Sequence, residues 1–261
     1  MELGLTGKVA LVVGAGGGLG SAIALTLANE GAAIAACDVD EVSLAALGER
    51  LAAQRARFIT VRMDLRDTNQ LPAHVARIEK ELGAVDVLVN NSGGPPPSLA
   101  NGVAASVWRD HFDGMVLSLI SLTDLVVPAM KARHWGRIIT STSSGVVAPI
   151  PNLGLSNALR LALVGWSKTI ARELGPSGIT ANVVLPGRVA TSRIDQLDRA
   201  KAQREGRPVE DVVRESTASI PAGRYGTPEE YGQVVAFLAS QQASYINGSV
   251  IRVDGGLIPS I

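Results

Sequence analysis

Short apolar runs alternate with longer amphipathic stretches along nearly the whole chain. The runs are rich in Ala, Val and Ile and carry few polar residues, a pattern typical of strands buried on both faces of a parallel sheet. Seven strands are predicted, at Lys8–Val13, Ala33–Asp38, Phe58–Arg62, Val85–Asn90, Arg137–Ser141, Ile179–Leu185 and Ser249–Asp254. The stretches between them predict helices at Ser21–Glu30, Glu41–Ala53, Asn69–Leu82, Ala104–Arg133, Leu155–Leu174 and Pro228–Ser240.

This alternation predicts an α/β fold. Every connection between successive strands is long enough for a right-handed βαβ unit. We therefore expect a single-domain, Rossmann-type, doubly wound parallel sheet of about seven strands with helices on both faces. No linker or internal repeat interrupts residues 1–261, so the chain is interpreted as one domain. Residues 188–220 form a polar, charge-rich excursion with one or two short helices, which we interpret as a substrate lid.

The composition limits the classes of partner. Lys and Arg number 24, Asp and Glu also number 24, and this zero net charge points to neither nucleic acid nor a membrane surface. The single cysteine, Cys37, cannot form an internal disulfide and fits a reducing, cytoplasmic compartment. The uncharged stretch from Val9 to Ala28 is long enough to span a bilayer, but five glycines between Gly14 and Gly20 argue against a continuous helix there. We expect a soluble protein without a metal site.

A glycine-rich turn follows the first predicted strand and opens the first predicted helix. It contains Gly14, Gly16, Gly18 and Gly20. Glycines allow the tight turn and the close approach of backbone N–H groups to a pyrophosphate, and the helix N-terminus adds a partial positive charge. Asp38 ends the second strand about 20 residues later, where an acid can bind the ribose 2′-hydroxyl. A dinucleotide site is therefore predicted at this turn.

Over nearly its whole length the chain resembles the short-chain dehydrogenase/reductase family. The turn resembles the family's Gly-x-x-x-Gly-Ile-Gly, and Asn90 to Gly93 resembles its Asn-Asn-Ala-Gly. Asp64 and Leu65 resemble the acid-plus-apolar pair that contacts adenine, and the segment from Pro186 to Thr191 resembles the one that flanks the nicotinamide. The resemblance implies a cofactor site made of Gly14, Gly16, Gly18, Leu19, Gly20, Asp38, Asp64, Leu65, Asn91, Gly93, Arg160, Pro186, Gly187 and Thr191.

The choice between the two nicotinamide nucleotides is a question of charge. Asp38 would repel the 2′-phosphate of NADP. No arginine lies inside the glycine turn or immediately after Asp38 to compensate for that carboxylate. We therefore expect NAD rather than NADP.

The segment that should carry the chemistry departs from the family. By resemblance, Ser143 stands at the position of the family's catalytic serine, Ser156 at that of its tyrosine and Arg160 at that of its lysine. Met115 stands where the family has an asparagine. A serine hydroxyl is a far weaker acid than a phenol, and an arginine keeps the positive charge but does not release a proton. Ser143, Ser156 and Arg160 are the predicted catalytic residues.

These substitutions leave several interpretations open. The hydroxyls and the cation could hold a carbonyl, a carboxylate or a developing oxyanion. Ser156 and Asn157 could instead cap the N-terminus of the following helix. The first functional hypothesis is an NAD-dependent oxidoreductase that acts on a small-molecule carbonyl or hydroxyl, similar to the ketoacyl reductases of the family. The second is a catalytically impaired nucleotide-binding subunit of a hetero-oligomer, and the third is a lyase or isomerase. Family members commonly form tetramers, so a homotetramer or homodimer is also expected.

Overall fold

The computed structural model describes residues 2–261 and contains seven parallel strands joined by helices. The strands are β1 (Val9–Val13), β2 (Ala33–Asp38), β3 (Phe58–Arg62), β4 (Val87–Asn90), β5 (Gly136–Ser141), β6 (Ile179–Pro186) and β7 (Val250–Val253). The α-helices are α1 (Gly18–Asn29), α2 (Glu41–Ala53), α3 (Leu71–Leu82), α4 (Ala105–Phe112), α5 (Ser118–Ala132), α6 (Gly154–Leu174), α7 (Ser192–Glu205), α8 (Val209–Ala218) and α9 (Pro228–Ala239).

The strands form one sheet in the order β3-β2-β1-β4-β5-β6-β7, and every pairing is parallel. The chain winds outwards from β1 in one direction, then returns to β4 and winds outwards in the other. The carboxyl ends of β1 and β4 therefore meet at the switch point, where open α/β sheets bind ligands. The predicted doubly wound parallel sheet of seven strands is confirmed.

Helices cover both faces of the sheet, and the strands are apolar because both of their faces are buried. One core lies between the sheet and α1, α2 and α9, with Leu27, Leu47 and Val235 fully or almost fully buried. The other lies between the sheet and α3, α5 and α6, and it includes Ile78 and Val126. These two layers hold the strand ends rigidly, so that the loops at the carboxyl edge have a fixed base.

Several element boundaries differ from the predicted ones by one to three residues, and one predicted helix is divided. Helix α1 begins at Gly18 rather than at Ser21, because the last glycines of the turn already adopt helical geometry. Strand β4 begins at Val87 rather than at Val85. The long helix predicted over 104–133 is divided by a π-helical turn at Asp113–Leu117, a feature that is frequent near functional sites.

The stretch from Val9 to Ala28 forms strand, turn and helix, as predicted. A different segment, Ala105–Ala132, is long and apolar enough to cross a membrane by length and composition alone. Half of its most apolar window is buried within the fold, and a core helix of a soluble protein can meet the same criteria of length and composition. The predicted lid contains two helices, α7 and α8.

Candidate active site

The glycine turn, residues Gly14–Gly20, leaves no room for side chains at its two ends. Gly14 adopts a positive φ of 63°, and a Cβ atom on it would lie 2.3 Å from the carbonyl oxygen of Asn91. A Cβ atom on Gly20 would lie 2.0 Å from the carbonyl oxygen of Gly14. The turn is thus folded tightly against itself and against the loop after β4, and only glycine fits these two positions.

The N-terminus of α1 is open to an anion. Its N-cap residue, Gly17, provides no side-chain cap, and the first turn of the helix contains no acidic residue. The N–H groups of that turn have no intrahelical acceptor, and the helix dipole makes them partially positive. A pyrophosphate fits this cradle, because it accepts these hydrogen bonds and neutralises that partial charge.

Asp38 lies directly beside the turn. Its Oδ2 accepts a hydrogen bond from the backbone N–H of Gly16 at 2.9 Å, and its Oδ1 accepts one from Asp40 at 3.1 Å. A Cβ atom on Gly16 would lie 2.7 Å from the Cβ of Ser43, so the wall around this carboxylate is closely packed. The end of β2 therefore presents a fixed negative charge at the edge of the turn, where the sequence predicts a contact with ribose.

Asp64 and Leu65, the predicted adenine contacts, follow β3. Arg66 donates two hydrogen bonds to the Asp64 carboxylate, from Nε at 3.1 Å and from Nη2 at 2.8 Å. These bonds lower the pKa of Asp64, which stays ionised. Leu65 is partly buried and packs against two groups of buried apolar residues, one that includes Leu71 and one that includes Met115. The adenine contact itself stays a prediction.

The loop after β4, residues Asn91–Pro97 and here called the β4 loop, borders the turn on its other side. Asn91 donates from Nδ2 to the carbonyl oxygen of Gly14 at 3.3 Å. Within residues 2–261, several buried polar atoms near the ends of β4 and β5 have no hydrogen-bond partner: Asn90 Oδ1, Ser92 Oγ, Thr140 Oγ1 and Thr142 Oγ1. Buried polar atoms normally have a hydrogen-bond partner. These four atoms therefore fit a site in which a polar ligand or ordered water supplies the partner.

The segment after β6 closes the same edge. A Cβ atom on Gly18 would lie 2.7 Å from Cγ2 of Thr191, so Thr191 rests on the glycine turn. Pro186 ends β6, and Gly187 lies against Asp254 at the end of β7. The structure therefore gathers the turn, Asp38, the β4 loop and Thr191 around one edge of the sheet, as predicted for a nicotinamide nucleotide.

Ser143 and Ser144 lie just beyond the carboxyl end of β5. Ser143 has an extended backbone, and its Oγ accepts a hydrogen bond from the N–H of Gly145 at 3.1 Å. That bond occupies one lone pair and leaves the hydroxyl proton free to donate. Ser144 is buried and begins the short 3-10 turn that packs against α6. This turn links β5 to the helix that carries Ser156 and Arg160.

The predicted capping role of Ser156 and Asn157 is wrong. Helix α6 begins at Gly154, so both residues lie inside its first turns, and its N-cap, Leu153, makes no side-chain cap. Asn157 instead holds the preceding loop, donating to the carbonyl oxygen of Ile150 at 2.9 Å and accepting from its N–H at 3.4 Å. Ser156 is buried without a capping bond and lies one helical turn before Arg160, on the same side of α6.

Arg160 is buried, and three backbone carbonyl groups hold its guanidinium. Nη2 donates to Ser92 at 3.2 Å and to Gly93 at 3.4 Å, and Nη1 donates to Ser141 at 3.4 Å. The side chain thus connects α6 to both the β4 loop and the end of β5. Burial lowers the pKa of Arg160 to about 10, and it is still a cation at neutral pH. These acceptors have no sequence signature, because any residue provides a carbonyl oxygen.

The tyrosines of the chain are engaged elsewhere. Tyr231, on α9, is fully buried in the core on the opposite face of the sheet, where its hydroxyl bonds Ser141 Oγ at 2.8 Å and Val184 O at 3.2 Å. Burial raises the pKa of Tyr231 further, which makes it a poorer acid. Tyr225 donates to Asp198 at 2.7 Å, and Tyr245 is fully exposed.

Met115 lies in the π-helical turn between α4 and α5, where its side chain is buried. It belongs to an apolar cluster with Val116, Leu119, Leu159 and Leu163. A thioether in this position cannot donate a hydrogen bond. The π-helical turn lies beside α6, and Met115 contributes apolar packing there instead of a hydrogen bond.

Comparisons with known proteins agree with this architecture. Residues 14–258 match the family model described as enoyl-(acyl carrier protein) reductase. The chain is 36% identical over 253 residues to the 3-oxoacyl-[acyl-carrier-protein] reductase FabG of Escherichia coli strain K12, covering 96% of this chain and 97% of that one. The NADPH-dependent reductase YwfH of bacilysin biosynthesis is similar in structure, with a TM-score of 0.92, 30% identity and coverage of 97% of this chain and 99% of that one. L-sorbose reductase from Gluconobacter frateurii, complexed with NADPH and L-sorbose, has a TM-score of 0.94 at 29% identity and is matched over the full length of both chains.

Proposed function

Because the chain belongs to the short-chain dehydrogenase/reductase family of oxidoreductases, we propose that it reduces a carbonyl, or oxidises the matching hydroxyl, of a 3-oxoacyl-like substrate. The observation that carries this proposal is the intact nucleotide cradle. The uncapped N-terminus of α1, the closely packed glycine turn and the Asp38 carboxylate lie together at the switch point of the sheet. When bound there, a nicotinamide nucleotide supplies or accepts the hydride.

We propose NAD as the preferred cofactor. The Asp38 carboxylate is held in place by two backbone N–H groups and lies beside the turn, which supports a bond to ribose hydroxyls and opposes a phosphate. L-sorbose reductase was solved with NADPH, and YwfH is an NADPH-dependent reductase, so a direct comparison of the two cofactors in this protein tests the proposal.

The residues around the reacting oxygen have an unusual composition. None of the chain's three tyrosines is followed four residues later by a lysine, and within residues 2–261 no tyrosine hydroxyl bonds Ser143, Ser156 or Arg160. We propose that the Ser143 and Ser156 hydroxyls bind the substrate oxygen and that the Arg160 cation stabilises the negative charge that develops on it. Without a phenol, proton transfer to that oxygen is expected to be slow.

We also propose a cytoplasmic homo-oligomer. Phe112, Leu117 and Leu161 expose apolar side chains on α6 and on the helix that includes α4 and the π-helical turn. Such residues are favoured at subunit interfaces when they form a common patch. The free thiol of Cys37 is buried, which fits a reducing compartment.

Deuterium transfer tests the proposed reaction more sensitively than a change in absorbance. We expect NADH labelled with deuterium at C4 to transfer the label to the carbonyl carbon of an acetoacetyl thioester, with mass spectrometry as the readout. Ser143→Ala should lower the transfer rate by about tenfold or more, because a donor to the substrate oxygen is lost. If labelled NADH binds but no product contains deuterium, the proposal is contradicted.

That negative result would favour the second candidate, a nucleotide-binding subunit that assists an active paralogue. The specific observation in its favour is that all three tyrosine hydroxyls lie away from the candidate site. A mixed oligomer isolated with such a paralogue would then be expected.

A further inference from the structure

Two arginines approach the same point at the mouth of the candidate active site. A Cβ atom on Gly94, in the β4 loop, would lie 3.6 Å from Nη2 of Arg160 and 3.7 Å from Nη2 of Arg193. Arg160 comes from the buried side of α6, whereas Arg193 comes from the first turn of α7 in the lid. Gly94 is exposed, so this point is accessible to a ligand from solvent.

In the part of the chain that the structure describes, no acid neutralises either guanidinium. Arg160 donates to the carbonyl oxygens of Ser92, Gly93 and Ser141, and Arg193 donates to that of Pro95 at 3.0 Å. Within residues 2–261, neither arginine takes part in an ion pair.

Arg188 provides an internal comparison, because it lies in the same lid and does have an acidic partner. Its Nη1 lies 2.7 Å from Oδ1 of the buried Asp198. Buried cations in proteins are normally paired in this way, since an unpaired charge loses hydration without compensation. Among the described residues, Arg160 lacks such a partner, as does the buried Arg137, and the approach of a second cation, Arg193, adds like-charge repulsion at Arg160.

We propose that Arg160 and Arg193 together bind an anionic group of the substrate, so that the substrate is a carboxylate-bearing carbonyl compound. This rests on the proposed oxidoreductase function and adds a free carboxylate to the 3-oxoacyl-like substrate proposed there. A carboxylate at this point would supply the missing counter-charge to both arginines. Arg193 can donate two parallel hydrogen bonds to it, and Arg160 contributes its positive charge and its remaining N–H groups.

A substrate anion suits the position better than a cofactor phosphate. The pyrophosphate cradle is at the N-terminus of α1, against Gly14 and Asn91. The arginines instead bond the later carbonyls of the β4 loop, and Arg193 belongs to the lid. Because Arg160 is fixed by burial and Arg193 is carried by a lid helix, a bound carboxylate would also draw the lid over the site.

A matched pair of ligands tests the proposal without catalysis. 2-Oxo-4-phenylbutanoate and its methyl ester differ in the carboxylate charge, and in the presence of NAD+ neither can be reduced. Calorimetric titration should show the acid binding about tenfold or more tightly than the ester. Arg193→Gln should abolish that difference, and Arg193→Lys should retain part of it. Arg199→Gln, an exposed arginine on the same helix, is the matched control and should leave it unchanged.

The outcomes separate this proposal from the proposed function. Equal affinities of acid and ester in the unchanged protein would overturn the anion site, while NAD+ binding in the same titrations would leave the oxidoreductase proposal intact. A loss of NAD+ affinity in Arg193→Gln, with the preference for the acid unchanged, would assign the arginine to the cofactor phosphates and would also overturn it. Failure of NAD+ to bind, together with a retained acid preference, would contradict the proposed function alone.

Discussion

Two regions meet at the carboxyl edge of the sheet, and they are built in different ways. The nucleotide region, from β1 to β2, is shaped by backbone packing: Gly14 and Gly20 have no space for a side chain, and Asp38 bonds the backbone of Gly16. The reaction region, from Ser141 to Arg160, depends on side chains that reach carbonyl oxygens in separate segments. A site made of backbone tolerates few changes, whereas a site made of side chains can acquire another chemistry while the fold is kept.

The largest expected effect comes from changing the reaction region towards the family pattern. Ser156→Tyr combined with Arg160→Lys should raise the reduction rate of a simple ketone by about 10²–10⁴-fold, because it supplies a positioned general acid. Steady-state kinetics with NADH measure the change. Ser156→Phe with Arg160→Lys is the matched control, since it adds the same ring without the hydroxyl. Equal rates in the two double variants would show that the pocket is not shaped for carbonyl reduction.

The next largest effect should come from the turn itself. In Gly20→Ala the new Cβ would lie 2.0 Å from the carbonyl oxygen of Gly14, and the backbone has to move. Overpacking of this kind costs about 1–3 kcal/mol of stability. We expect the affinity for NADH to fall by about 10²-fold, or about 2.8 kcal/mol of binding free energy, because the backbone N–H groups around the pyrophosphate are displaced. Calorimetric titration and thermal unfolding measure both quantities.

Gly17→Ala is the control within the same turn. Its φ is −73°, and a Cβ there would lie 3.5 Å from the nearest atom, an ordinary contact. Similar losses in Gly17→Ala and Gly20→Ala would mean that the geometry of the turn does not determine the binding.

A smaller change is expected when the charge beside the turn is removed. Asp38→Ala should shift the ratio of NADPH to NADH affinity about tenfold towards NADPH, because a carboxylate close to a phosphate costs at least about 1 kcal/mol. Asp40→Asn removes an exposed charge two residues away and should leave the ratio unchanged. An unaltered ratio in Asp38→Ala would refute its role in cofactor choice.

The smallest effect concerns pH and the reaction region. Arg160, whose pKa burial lowers to about 10, lies near Arg193 and across the sheet from the buried Tyr231, which burial keeps neutral. Carboxylate affinity should be constant from about pH 7 to about pH 9 because Arg160 stays a cation, whereas in Arg160→Lys it should weaken several-fold over that range as the buried ammonium loses its proton. A bound anion favours the protonated lysine, so in the complex of that variant the decline should occur at higher pH. Titrations at several pH values in Arg160→Lys and in the unchanged protein measure the difference.

The contrast between the two regions also explains what could be predicted from the sequence. The alternation of apolar and amphipathic segments predicts the fold, and the glycine spacing predicts the turn beside Asp38. Both patterns depend on residue type and local geometry, which the sequence contains. The π-helical turn at Asp113–Leu117 has no such local signal. The positions of Asn157 and Arg160 depend on which carbonyls tertiary packing brings close, Ile150 in one case and Ser92 in the other. The resemblance identified Arg160, but only the folded chain shows that Arg193 lies near it.

Direct titration of the unchanged protein with NADH tests the central claim, that this edge of the sheet is a working nicotinamide nucleotide site. The account predicts saturable binding of one NADH per chain, with weaker binding of NADPH because of Asp38. Absence of binding by either nucleotide, in protein that is folded by circular dichroism, would contradict it.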